Sequence, residues 1–289
     1  MALDLNQLLT FQSVVHEGSF ESAARVLHVT PAAVSQRIKA LEEAVGLVLV
    51  RRARPCVATD AGRSLLRLAG QLALLEREAL DAAQAPAVGG RTRVTVVVNA
   101  DSVATWFLDA LTGLTGELSF ELFLDDEDHT ADLLRDGSAM AAVTAQNVAV
   151  RGCRVQRLGA MRYLAVAAPE FHRTHFGDGD GFRTAPMVVF NRKDQLQHRF
   201  LTQLRRRVDP PVHYVPSSDG HVAAVGLGLG WGMVPELIAR PAIAAGRYVE
   251  LTPGRQLDVP LYWQYWSLDS GILGALTAAV TQAARATLR

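Results

Sequence analysis

The 289-residue chain is 49% hydrophobic and 20% charged, a balance that supports folded cores and excludes a disordered chain. Its length allows two or three compact units of roughly 100–200 residues each. With 29 Lys and Arg against 29 Asp and Glu, bulk attraction to a polyanion is excluded, so any nucleic-acid binding must come from a segregated basic face. The two cysteines, Cys56 and Cys153, have no metal-ligand spacing and are too few for a disulfide framework. A cytoplasmic, reduced protein without metal or other cofactor is therefore expected. The start, MALDLNQLL, lacks the basic lead of a signal peptide, and the uncharged, glycine-rich run at residues 222–235 is too short to span a bilayer, so no membrane partner is expected.

Residues 1–60 read as three short helices and a wing. Leu5, Leu8, Leu9, Phe11 and Val15 share one helical face, and Gly18 ends that helix. Ser19 caps a second helix through Leu27, and His28-Val29 makes a tight turn. Thr30 caps a third helix with Pro31 at its first position, where the missing N–H costs nothing. Val34, Ile38, Leu41 and Val45 form its buried stripe, and Gly46 closes it. Ala32, Ser35, Gln36, Arg37 and Lys39 are left to face outward. A slim first turn with donors and acceptors on its surface suits entry into the DNA major groove. Arg51, Arg52 and Arg54 follow in a short wing positioned for phosphates or the minor groove. The region holds six basic and six acidic residues, so a solvated three-helix bundle is the bland alternative. The small-residue helix start and the arginine-bearing wing together favour DNA.

Residues 61–90 read as one long helix and a hinge. Leu65, Leu68, Leu72, Leu75, Ala79 and Ala82 are spaced 3, 4, 3, 4 and 3 apart, a heptad seam. Leu66, Ala73 and Leu80 form a weaker second row. A dimer seam is favoured over a helix lying on its own domain, because little of that domain is left to cover both rows. Gln84-Ala-Pro-Ala-Val-Gly-Gly90 has linker character.

From Arg91 the pattern changes to β-branched runs at residues 93–98, 118–124, 139–144, 163–167 and 187–190, alternating with helical stretches, as in α/β units with largely parallel pairing. The first strand runs into Asn99, Asp101 and Ser102, where a helix start capped by Asp101 or Ser102 would seat a carboxylate on free N–H groups. The second runs into Asp125, Asp126, Glu127, Asp128 and His129, an acidic cluster suited to a cationic side chain, although helix-dipole enrichment explains such a run equally well. Thr144 ends the third strand. Ligands in doubly wound sheets sit beyond the carboxyl ends of strands.

The stretch at residues 20–43, with Ala33-Val-Ser-Gln-Arg-Ile38 at its centre, resembles the signature of LysR-type transcriptional regulators. Gly46, the wing arginines and Thr59-Asp-Ala-Gly62 continue the likeness, which covers essentially the whole chain and is nearest the LysG/ArgP branch that controls basic amino-acid export. The resemblance implies a multidomain α+β and α/β protein. Its parts would be a winged helix-turn-helix (1–60), a linker helix (61–90) and a two-lobed effector domain like a periplasmic solute-binding protein (91–289). Lobe one would comprise 91–162 and 265–289, and lobe two 163–264. It also implies a homodimer, in many members a dimer of dimers, acting on a double-stranded DNA operator, with RNA polymerase as a further candidate partner. Asn99-Ala-Asp-Ser102 through Trp106-Phe107, and Asp126-Glu-Asp-His129, resemble segments of lysine-export regulators. Pro216-Ser-Ser-Asp219-Gly220 matches an effector-facing turn, with Asp219 as the site residue, but His221 stands where the family pattern has an aromatic such as Phe. The implied effector is L-lysine or L-arginine bound between the lobes.

No catalytic pattern competes. There is no His-Glu-x-x-His and no Gly-x-Ser-x-Gly. Gly226-Leu-Gly-Leu-Gly230 departs from a dinucleotide loop because its third glycine comes one residue early; it reads instead as close packing of a helix end against a strand. A weakly specific architectural DNA binder is the remaining alternative, and it would leave some 200 carboxy-terminal residues without a purpose.

Overall fold

The computed structural model describes residues 3–83, 91–116, 118–124, 127–177 and 179–289. The expected linker at 84–90 lies outside them, as does Asp126.

The amino-terminal elements are α1 (Leu5–Glu17), α2 (Phe20–Val26), α3 (Pro31–Val45), β1 (Val50–Arg51), β2 (Val57–Ala58) and α4 (Asp60–Ala82). Each helix starts where a short oxygen-bearing side chain replaces a missing backbone partner. Asp4 accepts from the Gln7 N–H, Ser19 from Ser22, Thr30 from Ala33 and Thr59 from Gly62. Gly18 and Gly46 end α1 and α3 in the left-handed conformation, which costs glycine nothing. Leu8, Phe11, Val14, Ala23, Ala24, Val34, Ile38, Leu41 and Leu49 fill one core, which Leu66 and Ala69 of α4 complete. β1 and β2 pair antiparallel, with Val50 opposite Ala58.

The remaining chain follows in order. It holds β3 (Thr92–Val98), α5 (Ala100–Ser102), a π-helical turn (Val103–Phe107), α6 (Leu108–Leu111), β4 (Leu118–Leu124), α7 (Glu127–Asp136), β5 (Ala141–Thr144), β6 (Cys153–Ala167), α8 (Pro169–Phe176), β7 (Met187–Val189), α9 (Leu196–Gln203), β8 (Val212–Tyr214), α10 (Ser218–Gly226), β9 (Gly232–Pro235), α11 (Glu236–Ala244), β10 (Val249–Glu250), β11 (Gln256–Trp266) and α12 (Gly271–Thr287). By internal contacts the molecule divides into two compact units. The first comprises residues 1–98, 113–156 and 263–279; the second comprises 99–112, 157–262 and 280–289. The chain passes from one to the other between β3 and α5, between α6 and β4, and within β6, β11 and α12.

In the first unit β3 pairs parallel with both β4 and β5. Val94, Val96, Val97 and Val98 are buried, the unbroken apolar run of a strand covered on both faces. In the second unit β6 pairs antiparallel with β9 and β10, and β7 pairs parallel with β8. The expected strand at 163–167 is thus the end of a much longer one beginning at Cys153. Alternation along its first half is blurred by half-buried polar side chains, which hides it from periodicity. Gly228 sits at φ +80° after α10, and a Cβ on Gly230 would lie 2.7 Å from the Pro186 carbonyl oxygen. The approach at Gly230 is the close packing expected of that glycine run, whereas Gly228 has only ordinary contacts and is set by its backbone conformation. Among the described residues, no helix is long and apolar enough to cross a membrane.

Helix α4 shows three faces. Leu66 and Ala69 are buried against the amino-terminal core. Arg67, Gly70 and Glu78 meet later parts of the same unit: Arg67 donates to the Arg151 carbonyl (2.7 Å) and to that of Gly152. A Cβ on Gly70 would lie 2.8 Å from the Trp266 ring, and Glu78 accepts from the Ser270 hydroxyl (2.6 Å) and the Ile272 N–H (2.9 Å). Of the expected seam, Leu65, Leu68 and Leu72 pack half-buried against that same amino-terminal core, so that row is covered in part by its own domain; Leu75, Ala79 and Ala82 are exposed.

Candidate functional site

The predicted residues fall into two groups. On α3, burial of Val34, Ile38 and Leu41 turns Ala32, Gln36 and Lys39 outward, with Ser35 half-buried beside them and Thr30 exposed at the cap. Lys39 pairs with Glu43 one turn on (3.5 Å), an exposed contact of small energetic weight. Arg37 departs from the expected outward position. It is half-buried on the flank, and its Nη1 donates to the Thr10 hydroxyl (3.3 Å), which in turn donates to the Asn6 carbonyl (2.6 Å). Arg51, Arg52 and Arg54 are exposed on the wing, and the Arg52 guanidinium lies 4.9 Å over the Phe20 ring, a cation–π contact that holds the wing near the start of α2. Glu42, which sequence reasoning missed, accepts from the N–H groups of Leu49 (2.8 Å) and Val50 (3.2 Å). It ties β1 to the end of α3.

The second group lies in the second unit. Asn99, rather than Asp101 or Ser102, holds the cap position of α5, and its side chain makes no cap bond. Asp101 accepts from the Tyr163 hydroxyl at one oxygen and from the Ser218 hydroxyl at the other, both at 2.8 Å. Beyond these two bonds, several acceptor positions remain on the carboxylate. Among the described residues, no lysine or arginine forms an ion pair with Asp101. Among the described residues, Asn99 Oδ1, Ser102 Oγ and Trp106 Nε1 are buried without a hydrogen-bond partner, and the ring nitrogens of His221 have none of ordinary geometry. A buried polar atom left without a partner costs about 1–3 kcal/mol. Immediately after Ser102 the chain makes its π-helical turn, a feature frequent at functional sites.

The other predicted residues do not join this group. Asp219 is exposed on α10, where Ser217 caps the helix. Thr144 belongs to the first unit, and its hydroxyl accepts from the Gln146 N–H (3.1 Å). Asp126 lies outside the described residues. Glu127, Asp128 and His129 have helical backbone in α7, and their side chains likewise lie outside. Tyr163 and Ser218 were missed. Each is an ordinary strand or helix-start residue in sequence, and only the fold places it against Asp101. Among the described residues, no group of three or more His, Cys, Asp or Glu is placed to hold a metal ion.

The family described as bacterial regulatory helix-turn-helix protein, lysR family, matches residues 5–63, and the LysR substrate binding domain matches residues 87–286. The chain belongs to the LysR family of transcriptional regulators. This regulator is 50% identical over 286 residues to the HTH-type transcriptional regulator LysG of Mycobacterium tuberculosis, covering 98% of this chain and 94% of the relative. Its structure is similar to that of ArgP from Mycobacterium tuberculosis, with a TM-score of 0.87, 49% identity and coverage of 100% and 99% of the two chains. It is also similar to full-length LysG from Corynebacterium glutamicum with bound effector Arg, with a TM-score of 0.77, 39% identity and 99% of each chain covered. The regulator thus combines a DNA-binding winged helix-turn-helix with an effector-binding domain.

Proposed function

We propose that this regulator binds a double-stranded operator as a homodimer and controls a gene for basic amino-acid export in response to L-arginine or L-lysine. The observation that carries the effector assignment is Asp101. Its carboxylate is held by Tyr163 and Ser218 and has no cationic partner among the described residues, so a ligand's ammonium or guanidinium would supply the missing charge. The names LysG and ArgP, and the arginine bound to the Corynebacterium relative, point the same way. Asn99, Ser102 and Trp106 contribute the remaining polar contacts.

On DNA, Thr30, Ala32, Ser35, Gln36 and Lys39 form the groove face, and Arg51, Arg52 and Arg54 reach the backbone or the minor groove. Arg37 acts by holding α3 on α1. Leu75 and Leu80, exposed on α4, support the dimer, and pairing of two such dimers, with contact to RNA polymerase, completes the assembly we propose.

Calorimetric titration of the full chain with L-arginine and L-lysine tests the effector reading. Micromolar binding that Asp101→Asn weakens about a hundredfold is expected, since it removes a charged partner; no heat with either amino acid overturns the reading. Footprinting on the DNA upstream of the regulated gene, with and without each amino acid, tests the regulatory half.

A further inference from the structure

His221 is an unusual residue to bury at this place. It is 7% exposed, and neither ring nitrogen makes a hydrogen bond of ordinary geometry within the chain. It lies on α10 three residues after Ser218, so both side chains project from the same helix face, and Ser218 is the residue that donates to Asp101. On the other side the ring is pressed by β9: a Cβ on Gly232 would lie 2.8 Å from Nε2 and 2.8 Å from Val225 Cγ2. Packing against β9 therefore helps to fix the ring in place. Burial holds its pKa below the ordinary histidine value, while the carboxylates of Asp101 and Asp194 and the backbone of Met233 act the other way. A neutral imidazole has one N–H donor and one acceptor nitrogen; the Met233 backbone lies toward the donor, and the acceptor has no partner among the described residues.

A purely structural role does not account for this. An apolar ring would leave no polar nitrogen unsatisfied at this place, and buried orphan nitrogens are rare unless something outside the chain meets them. Asn99 Oδ1, Ser102 Oγ and Trp106 Nε1 are orphaned in the same compact unit.

We propose that His221 is a specificity-determining contact of the effector, its acceptor nitrogen taking an N–H of the cationic group that Asp101 holds. The inference rests on the effector reading above. A neutral acceptor beside a carboxylate adds a hydrogen bond without adding charge, so it rewards a ligand with several N–H groups at that point. It does nothing for an apolar head.

The test is titration of the full-length protein with L-arginine and L-lysine at fixed neutral pH, using wild type, H221F, H221Q and D101N. H221F is expected to weaken binding of the preferred amino acid by tenfold or more, and H221Q, which keeps a donor and an acceptor, to recover part of that loss. Binding by H221F within twofold of wild type, while D101N is impaired, overturns the role of His221 and leaves the effector reading standing. Wild-type protein that binds neither amino acid, or D101N that binds as wild type does, overturns the effector reading itself. If H221F does not fold, the 15N signals of the His221 ring in wild-type protein decide the matter. A change in the acceptor-nitrogen shift on saturation with arginine supports the contact, and an unchanged shift overturns it.

Discussion

The amino-terminal domain and the cradle around Asp101 treat their polar groups in opposite ways. In the first, Asp4, Ser19, Thr30 and Thr59 each meet a helix-start N–H, and Glu42 meets two more on the way into the wing. Ser13 is the one residue there with a buried side-chain oxygen left without a partner among the described residues. In the second, Asn99, Ser102, Trp106 and His221 all leave buried atoms unmatched. A domain that presents a surface to DNA has to be complete before its partner arrives, because the partner only reads what is already rigid. A site that responds to a small molecule gains its response by being incomplete without it.

That contrast can be broken from either side. The largest effect is expected from Phe11→Ala, which empties a fully buried ring position in the amino-terminal core. It should cost about 3–5 kcal/mol in chemical denaturation and abolish operator binding, while the heat of arginine binding is retained. Loss of both activities together would show that the two regions do not fold independently of each other's integrity. Glu42→Ala comes next. It removes the acceptor for the Leu49 and Val50 N–H groups, at about 2–3 kcal/mol, and should appear as accelerated hydrogen exchange at those two amides.

Ser102→Ala tests the incomplete side and has the opposite sign. Deleting a buried hydroxyl that has no partner should raise the stability of the effector-free protein by about 1 kcal/mol, seen as a higher Tm, and lower effector affinity in the same preparation. A lower Tm would mean that the hydroxyl is satisfied within the chain.

The smallest effect is a slope with pH. Because the folded-state pKa of His221 is depressed by burial, the unfolded chain takes up that proton first. The effector-free protein should therefore be most stable above the ordinary histidine pKa of about 6.5 and lose stability as pH falls below it. H221F should flatten that part of the Tm-against-pH profile; an unchanged profile would assign the slope to other groups.

Local chemistry made much of the amino-terminal half legible. Ser19 and Thr30 as caps, Gly18 and Gly46 as stops, and the Val34, Ile38, Leu41 stripe are interactions among residues a few positions apart, which is the range over which spacing carries information. Arg37 shows the limit of that reading. A basic residue on a recognition helix reads as outward-facing, yet its partner Thr10 is 27 residues away and no periodicity registers it. The α4 helix shows the same limit: two apolar rows were visible, but the face carrying Arg67, Gly70 and Glu78 is polar or small and signals nothing until the strands and turns it meets are folded beside it.

By itself, then, the sequence determined the helix-turn-helix, the long helix and its heptad seam, the alternation of strands and helices beyond residue 91, and the family. Each rests on near-neighbour pattern or on motif. Only the tertiary structure decided that Asp101 points to Tyr163 and Ser218 instead of capping its helix, and that His221 is buried with its acceptor nitrogen idle. Those contacts join residues 62 and 117 positions apart, and a hydrogen bond over such a separation depends on how the strands and helices pack, which no local pattern encodes.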